Sequence, residues 1–166
     1  ARVPALADSD PIRYVQAWRL RLQGLRGQGE LAAAVRETAE LQAWVQAHAD
    51  PWREAQASLA QAEQRAAEGE TDAALALFER TLHRFDQAGA IPDDLVDVIQ
   101  PYVALLVRNG RPDEAHALSA RIATWADHDL RAASVFVRLN TALGRNDARL
   151  AAERRARELA GERQVP

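Results

Sequence analysis

A spacer of one glycine, four residues and then alanine recurs along this chain, and it constrains the fold more than any other feature. It stands at 29–34 (GELAAA), 69–74 (GETDAA) and 110–115 (GRPDEA). A fourth copy at 144–149 (GRNDAR) has Arg149 where the others have alanine. The intervals between successive glycines are 40, 41 and 34 residues, the range in which a sequence period signals stacked helical hairpins. The glycine supplies the left-handed turn between two antiparallel helices, and the alanine is small because the paired helices approach there. A second alignment supports the period: Trp44 and Trp125 each lie fifteen residues beyond their own glycine.

The segments between the spacers read as helices, predicted over 11–27, 30–48, 51–68, 72–88, 92–109, 112–126, 128–143 and 146–161. Ser9 or Asp10 before Pro11, and Asp50 before Pro51, combine an N-cap with proline at the first helical position. Thr71 or Asp72 is expected to cap the fourth helix, and Asn146 or Asp147 the eighth. Apolar stripes at helical spacing follow: Tyr14, Trp18, Leu22 and Leu25 in the first helix, Leu31, Val35, Thr38, Leu41, Trp44 and Val45 in the second. The fourth carries Leu75, Phe78, Leu82 and Phe85. Pro101 inside the fifth predicts a kink near Asp97 or a short helix with a fresh start, because proline forfeits a hydrogen bond and clashes with the preceding turn. The third helix has only Trp52 and Leu59 as large apolar residues, so looser packing or a partner's footprint is expected there. The last is polar, as the end of a solenoid needs to be.

These elements predict an all-α fold, an αα-hairpin superhelix of about eight helices in four hairpins. One repeat domain is expected over 11–161, with tails at 1–10 and 162–166. Ala, Leu, Arg, Glu and Gln dominate, and strand-like alternation is missing.

Absences narrow the chemistry. The chain has no cysteine, which excludes a disulfide, a thiolate nucleophile and a cysteine-ligated metal. All 21 basic residues are arginine, which excludes a P-loop lysine and a Schiff base. A net charge of −3 disfavours nucleic acid as a partner. No apolar run is long enough to span a bilayer, so membrane contact is expected only through an anchor outside this segment. The sequence lacks a start methionine, and Ala1 reads as a boundary within a longer protein.

No residue constellation points to catalysis. His48, His83, His116 and His128 lack metal spacing and read as exposed helix-end residues. Asp93, Asp94 and Asp97 follow Pro92, where acids favour the helix dipole. The four serines sit in no nucleophile elbow, and glutamates interleave with the arginines at 149–157 as on a solvated face. No cofactor is expected.

The pattern resembles the tetratricopeptide repeat family in degenerate form. Trp18 precedes Ala34 by sixteen residues, Ala74-x₃-Phe78 matches the family's alanine–phenylalanine step, and GRPDEA looks like its inter-helix turn. Ser58 and Ile99 stand where the second and third repeats would carry tryptophan, and two intervals exceed the family's usual 34. The lysine-rich clamp that some members use for a peptide carboxylate cannot be built here. The resemblance implies a concave groove lined by the first helix of each hairpin. Its register selects Gln16, Arg19, Gln23, Arg26, Gln56, Glu63, Asp97, Gln100, Arg108, Arg131, Ser134 and Arg138 as the partner-binding face. The stretch from Ile91 onward also looks like the C-terminal helical domains of membrane-anchored bacterial serine/threonine kinases and winged-helix regulators.

The expectation is a non-catalytic interaction or sensor module of a bacterial signalling protein, binding a protein or peptide. A structural assembly or dimerisation scaffold of the cell envelope is the alternative. The kinase likeness implies a periplasmic setting, and a cysteine-free chain suits the cytosol equally.

Overall fold

The computed structural model describes Ala7 and residues 9–161. The expected tails lie outside these residues save for Ala7, Ser9 and Asp10. Among the described residues the fold is all-α, with eight α-helices and no strand: α1 Pro11–Gly27, α2 Leu31–Ala47, α3 Pro51–Ala67, α4 Thr71–Gln87, α5 Pro92–Arg108, α6 Pro112–Ser119, α7 Leu130–Ala142 and α8 Asn146–Gly161. The chain forms two compact units, one ending at Gly89 and the other beginning at Ala90. Helices α1 to α4 make two hairpins in the first unit, and α5 to α8 make two in the second.

The recurring spacer builds the same turn each time. At the α3–α4 turn, Gly69 takes φ 80°. Its amide donates to the Ala66 carbonyl at 3.3 Å, and the Glu70 amide donates to Arg65 at 3.0 Å. This is the Schellman closure, which needs one left-handed residue. The turns at Gly29, Gly110 and Gly144 repeat the pattern, each with positive φ and a six-residue closing bond of 2.9 Å. A methyl group at any of these glycines would meet nothing within 4 Å, so the glycine is required by backbone conformation and not by crowding. The alanine five residues on is crowded: Ala34, Ala74 and Ala115 are completely buried. Arg149, at the fourth copy, is partly exposed and reaches Glu153.

Two capping expectations hold at the side-chain level. Asp10 accepts from the Arg13 amide at 3.1 Å, and Asp50 accepts from Trp52 at 2.9 Å and Arg53 at 3.1 Å. Thr71 is instead the first residue of α4, preceded by Glu70 without a capping bond. Asn146 likewise lies inside α8.

Proline 101 does not divide its helix: α5 runs from Pro92 to Arg108 as one element. Val98, Ile99, Val103, Leu105 and Leu106 on both sides of the proline are buried, and this packing holds the helix where propensity alone would break it. The sixth helix is shorter than expected. After Ser119 it tightens into a 3₁₀ turn over Ala120–Trp125, with Ser119 Oγ bonded to the His116 carbonyl at 2.9 Å. Three residues per turn stack Ser119, Ile122 and Trp125 on one side, and the first two are fully buried. Helix α7 starts at Leu130, capped by Asp129, which the sequence reading passes over.

Helix α3 is the clearest departure. Its expected loose packing is contradicted: six consecutive residues, Ala55 to Ala60, are buried, and Ala62 and Gln64 with them. It touches α1, α2 and α4, and small side chains let all three close in. On its α1 and α2 side lie Tyr14, Val15, Trp18, Leu22, Leu41 and Val45, with Trp44 and Trp52 packed partly buried against them. Tyr14 holds the aromatics together, edge-on to Trp18 at 5.4 Å and tilted against Trp44 at 5.0 Å. Helix α2 buries a narrower stripe than expected (Ala34, Thr38, Leu41 and Val45), leaving Leu31 and Val35 exposed.

The second unit centres on α5, with Val96, Val98, Ile99, Val103, Leu105 and Leu106 packed against Ala132, Ala133, Val135 and Leu139 of α7 and Ile122. Helix α8 buries only Leu159.

Candidate binding surfaces

In the first unit, five of the residues selected for the groove form one cluster, with Arg19, Gln23 and Arg26 around the Glu63 carboxylate and Gln56 on Arg19. Arg19, Gln23 and Arg26 follow the four-three spacing of one face of α1, and Gln56 and Glu63 lie two turns apart on α3. Arg26 Nη2 donates to Glu63 Oε2 at 2.5 Å, and Gln23 Nε2 donates to Glu63 Oε1 at 3.3 Å. Arg19 Nη1 donates to Gln56 Oε1 at 2.7 Å, while its Nη2 lies 3.6 Å from Glu63. The side chains of Arg19 and Glu63 are only 6% and 10% exposed. Burial pulls the Arg26 guanidinium below its ordinary value, with Glu63 opposing and Arg19 reinforcing that shift. These groups pin α1 to α3 and are occupied with one another. Gln23 is exposed above them, as is Gln16 elsewhere on α1.

An open hollow lies around the other side of α3. With about 100° per residue, Glu54, Ala57, Ser58 and Gln61 project roughly opposite Gln56 and Glu63. Together with Gln42, Val45 and Gln46 of α2 and Leu77, Arg80 and Arg84 of α4, they enclose about 560 Å³. Its floor is fixed by a hydroxyl bond of 2.6 Å between Ser58 and Thr81, both buried. Gln42, Gln46, Gln61, Arg80 and Arg84 make no side-chain hydrogen bond or ion pair among the described residues. The sequence reading misses this site. The signal that would reveal it is like polar residues one turn apart, Gln42 with Gln46 and Arg80 with Arg84, on helices whose other face is apolar.

In the second unit, Asp97 and Arg131 are brought together. Arg131 Nη1 donates to Asp97 at 2.6 Å, and its Nη2 to Asp129 at 2.6 Å and to Asp93. The hydrogen bond to Asp129 raises the Arg131 pKa, burial opposes this, and Asp93 adds to it. Burial pushes the Asp129 carboxyl up, but hydrogen bonds from the Arg131 side chain and amide outweigh it and hold the group below its usual value. Two of the acids after Pro92 therefore clamp the start of α7, while Asp94 accepts from the Ile91 amide at 3.3 Å.

Ser134 and Arg138 line a separate, more apolar hollow of about 610 Å³ with Val107, Val137, Thr141, Ala142, Glu153, Ala156 and Arg157. Ser134 Oγ bonds back to the Leu130 carbonyl at 2.7 Å, while Arg138 is exposed with no partner among the described residues. Gln100 is half-buried and Arg108 is exposed at the end of α5.

The four histidines are exposed. His48 stacks on Trp44 at 4.5 Å and bonds its carbonyl at 2.8 Å. Among the described residues no group of three or more His, Asp or Glu side chains could hold a metal ion, and no helix is long and apolar enough to cross a membrane. Comparison with protein-family models, curated proteins and solved structures finds no match.

Proposed function

We propose that this chain is a degenerate repeat of the tetratricopeptide kind that works as a non-catalytic binding module. In this reading it belongs to a larger bacterial signalling protein, on the periplasmic side of an anchored receptor, and it engages a protein or peptide. The observation that carries the reading is the α2–α3–α4 hollow, where long amide and guanidinium side chains without partners among the described residues surround a site on closed hairpins. Side chains on a rigid frame lose little freedom when a segment binds, which favours affinity. The apolar hollow beside Ser134 and Arg138 offers a second surface of similar size.

Selection from a random peptide display library on the immobilised chain tests this, followed by hydrogen exchange with the selected peptides. Enriched peptides that protect α2 to α4, or α5, α7 and α8, are the expected result. A library that yields nothing above an unrelated helical control would count against a binding module.

The assembly reading draws support from exposed apolar side chains, notably Leu20 at 68% and the pair Leu31 and Val35. Sedimentation equilibrium separates the two readings, because a scaffold that self-assembles shows at least a doubled mass at micromolar concentration.

A further inference from the structure

The first-unit hollow has a more specific chemistry than a general binding surface. Two of its walls carry pairs of side chains one helical turn apart: Gln42 and Gln46 on α2, Arg80 and Arg84 on α4. The rise along each pair is about 6 Å. Side chains at alternate positions of an extended polypeptide are about 6.6–6.8 Å apart on one face, a difference that flexible guanidinium heads absorb. Amide side chains both donate and accept, so the opposite wall suits the N–H and C=O groups along the edge of an extended backbone. Ala57 and Ser58 form a small-residue floor that leaves room for a main chain, with Val45 and Leu77 as apolar contacts.

We infer that this hollow binds an extended acidic segment of a partner polypeptide, with carboxylates at alternate positions paired to Arg80 and Arg84. The inference rests on the binding-module reading and adds the chemistry of the partner and the place where it sits. Charge decides against a continuous polyanion such as nucleic acid. Glu54 is among the lining residues, and the Ser58–Thr81 bond in an antiparallel hairpin sets it level with Arg84 and Phe85. A strand of phosphates would run over that carboxylate, whereas a peptide places its acids only at the two arginines. That register sets Glu54 closer to the level of Arg84 than of Arg80, so Arg80 is the stronger anchor for an acid.

The test uses a fluorescein-labelled decapeptide of alternating glutamate and threonine, followed by fluorescence anisotropy with the whole chain. Binding that weakens with added salt and falls by about tenfold in the Arg80→Gln/Arg84→Gln double variant is expected, the sum of two partly exposed ion pairs. Arg80→Gln alone costs more than Arg84→Gln, and Arg154→Gln, exposed in the other unit and lining neither hollow, has no effect. Both arginines are exposed and without partners among the described residues, so the melting temperature stays at the parent value.

Undiminished binding by the double variant would overturn the inference. So would equal binding of the glutamine–threonine peptide, or equal competition by a ten-residue oligothymidylate. The display selection separates the two levels of the reading. Enriched peptides without alternating acids sink this inference and leave the module standing, whereas no enriched peptide removes both.

Discussion

Helices α3 and α8 are built from nearly the same residues, alanine with glutamate and arginine, and α3 adds glutamine. Their surroundings differ completely. Helix α3 is wrapped by α1, α2 and α4, with eight of its residues buried. Helix α8 buries Leu159 alone and lays Arg149, Arg155 and Arg157 against Glu153 and Glu158 at the surface. Small side chains make a helix weak when it has few neighbours. They make it central when neighbours surround it, because each alanine lets another backbone approach closely.

The largest test of this contrast is a pair of carboxylates. Glu63→Gln removes the acid that pairs with the buried Arg26 side chain and should cost about 3–5 kcal/mol, since the Arg26 charge then stays buried without its carboxylate. Glu153→Gln, between the partly exposed Arg149 and the exposed Arg157, should cost about 0–1 kcal/mol. Chemical denaturation read by tryptophan fluorescence follows the first change well, because Trp18, Trp44 and Trp52 all lie in that unit. Circular dichroism follows the second.

Each helix also carries a leucine whose surroundings can be compared, Leu59 in α3 and Leu150 in α8. Leu59→Ala should destabilise by about 2–5 kcal/mol, as at other fully buried leucines. Leu150→Ala, 42% exposed, should stay within about 1 kcal/mol. Equal losses in thermal unfolding would show that α8 is held by packing after all.

Adding volume should act the same way on a smaller scale. Ala60→Leu forces a side chain between packed helices and is expected to cost about 1–3 kcal/mol. Ala151→Leu faces solvent and should fall within about 0.5 kcal/mol of the parent. A stabilised Ala60→Leu variant would mean that α3 has room around it.

The smallest effect is acid sensitivity at the helix that α8 packs against. Asp129 has a folded pKa below its unfolded one, so it stabilises the fold above its unfolded value and loses that contribution as pH falls through the lower, folded value. The start of α7 should therefore loosen first on acidification. The Asp129→Asn variant should show a flatter stability–pH curve below about pH 4, measured by hydrogen exchange over residues 129–133.

Much of the hairpin pattern is legible because it is local. A glycine that must adopt positive φ, a Schellman closure and an alanine one turn into the next helix are encoded within a few residues. The helix ends at Pro11, Pro51, Pro92 and Pro112 are likewise marked by residues next to them. The failures concern residues whose state depends on distant neighbours. Of the two outcomes expected at Pro101, the fresh start does not occur: α5 continues through it, with buried residues on both sides. Leu31 and Val35 fit the periodicity of α2 but lie outside the stripe that α1 and α3 cover.

The candidate site follows the same division. The register implied by the resemblance puts Arg19, Gln23, Arg26, Gln56 and Glu63 on one groove face, and these side chains cluster. Whether a polar face is open or internally satisfied is a question of partners, and no periodicity carries that answer. The sequence by itself determined eight helices, four turns and their hairpin pairing, through backbone conformation and one-turn spacing. Only the tertiary structure decided that α3 is a core helix, that Glu63 belongs to two arginines, and that Arg80 and Arg84 are left without partners among the described residues. Burial and charge pairing are properties of what surrounds a residue, and a helix of small side chains leaves that choice to its neighbours.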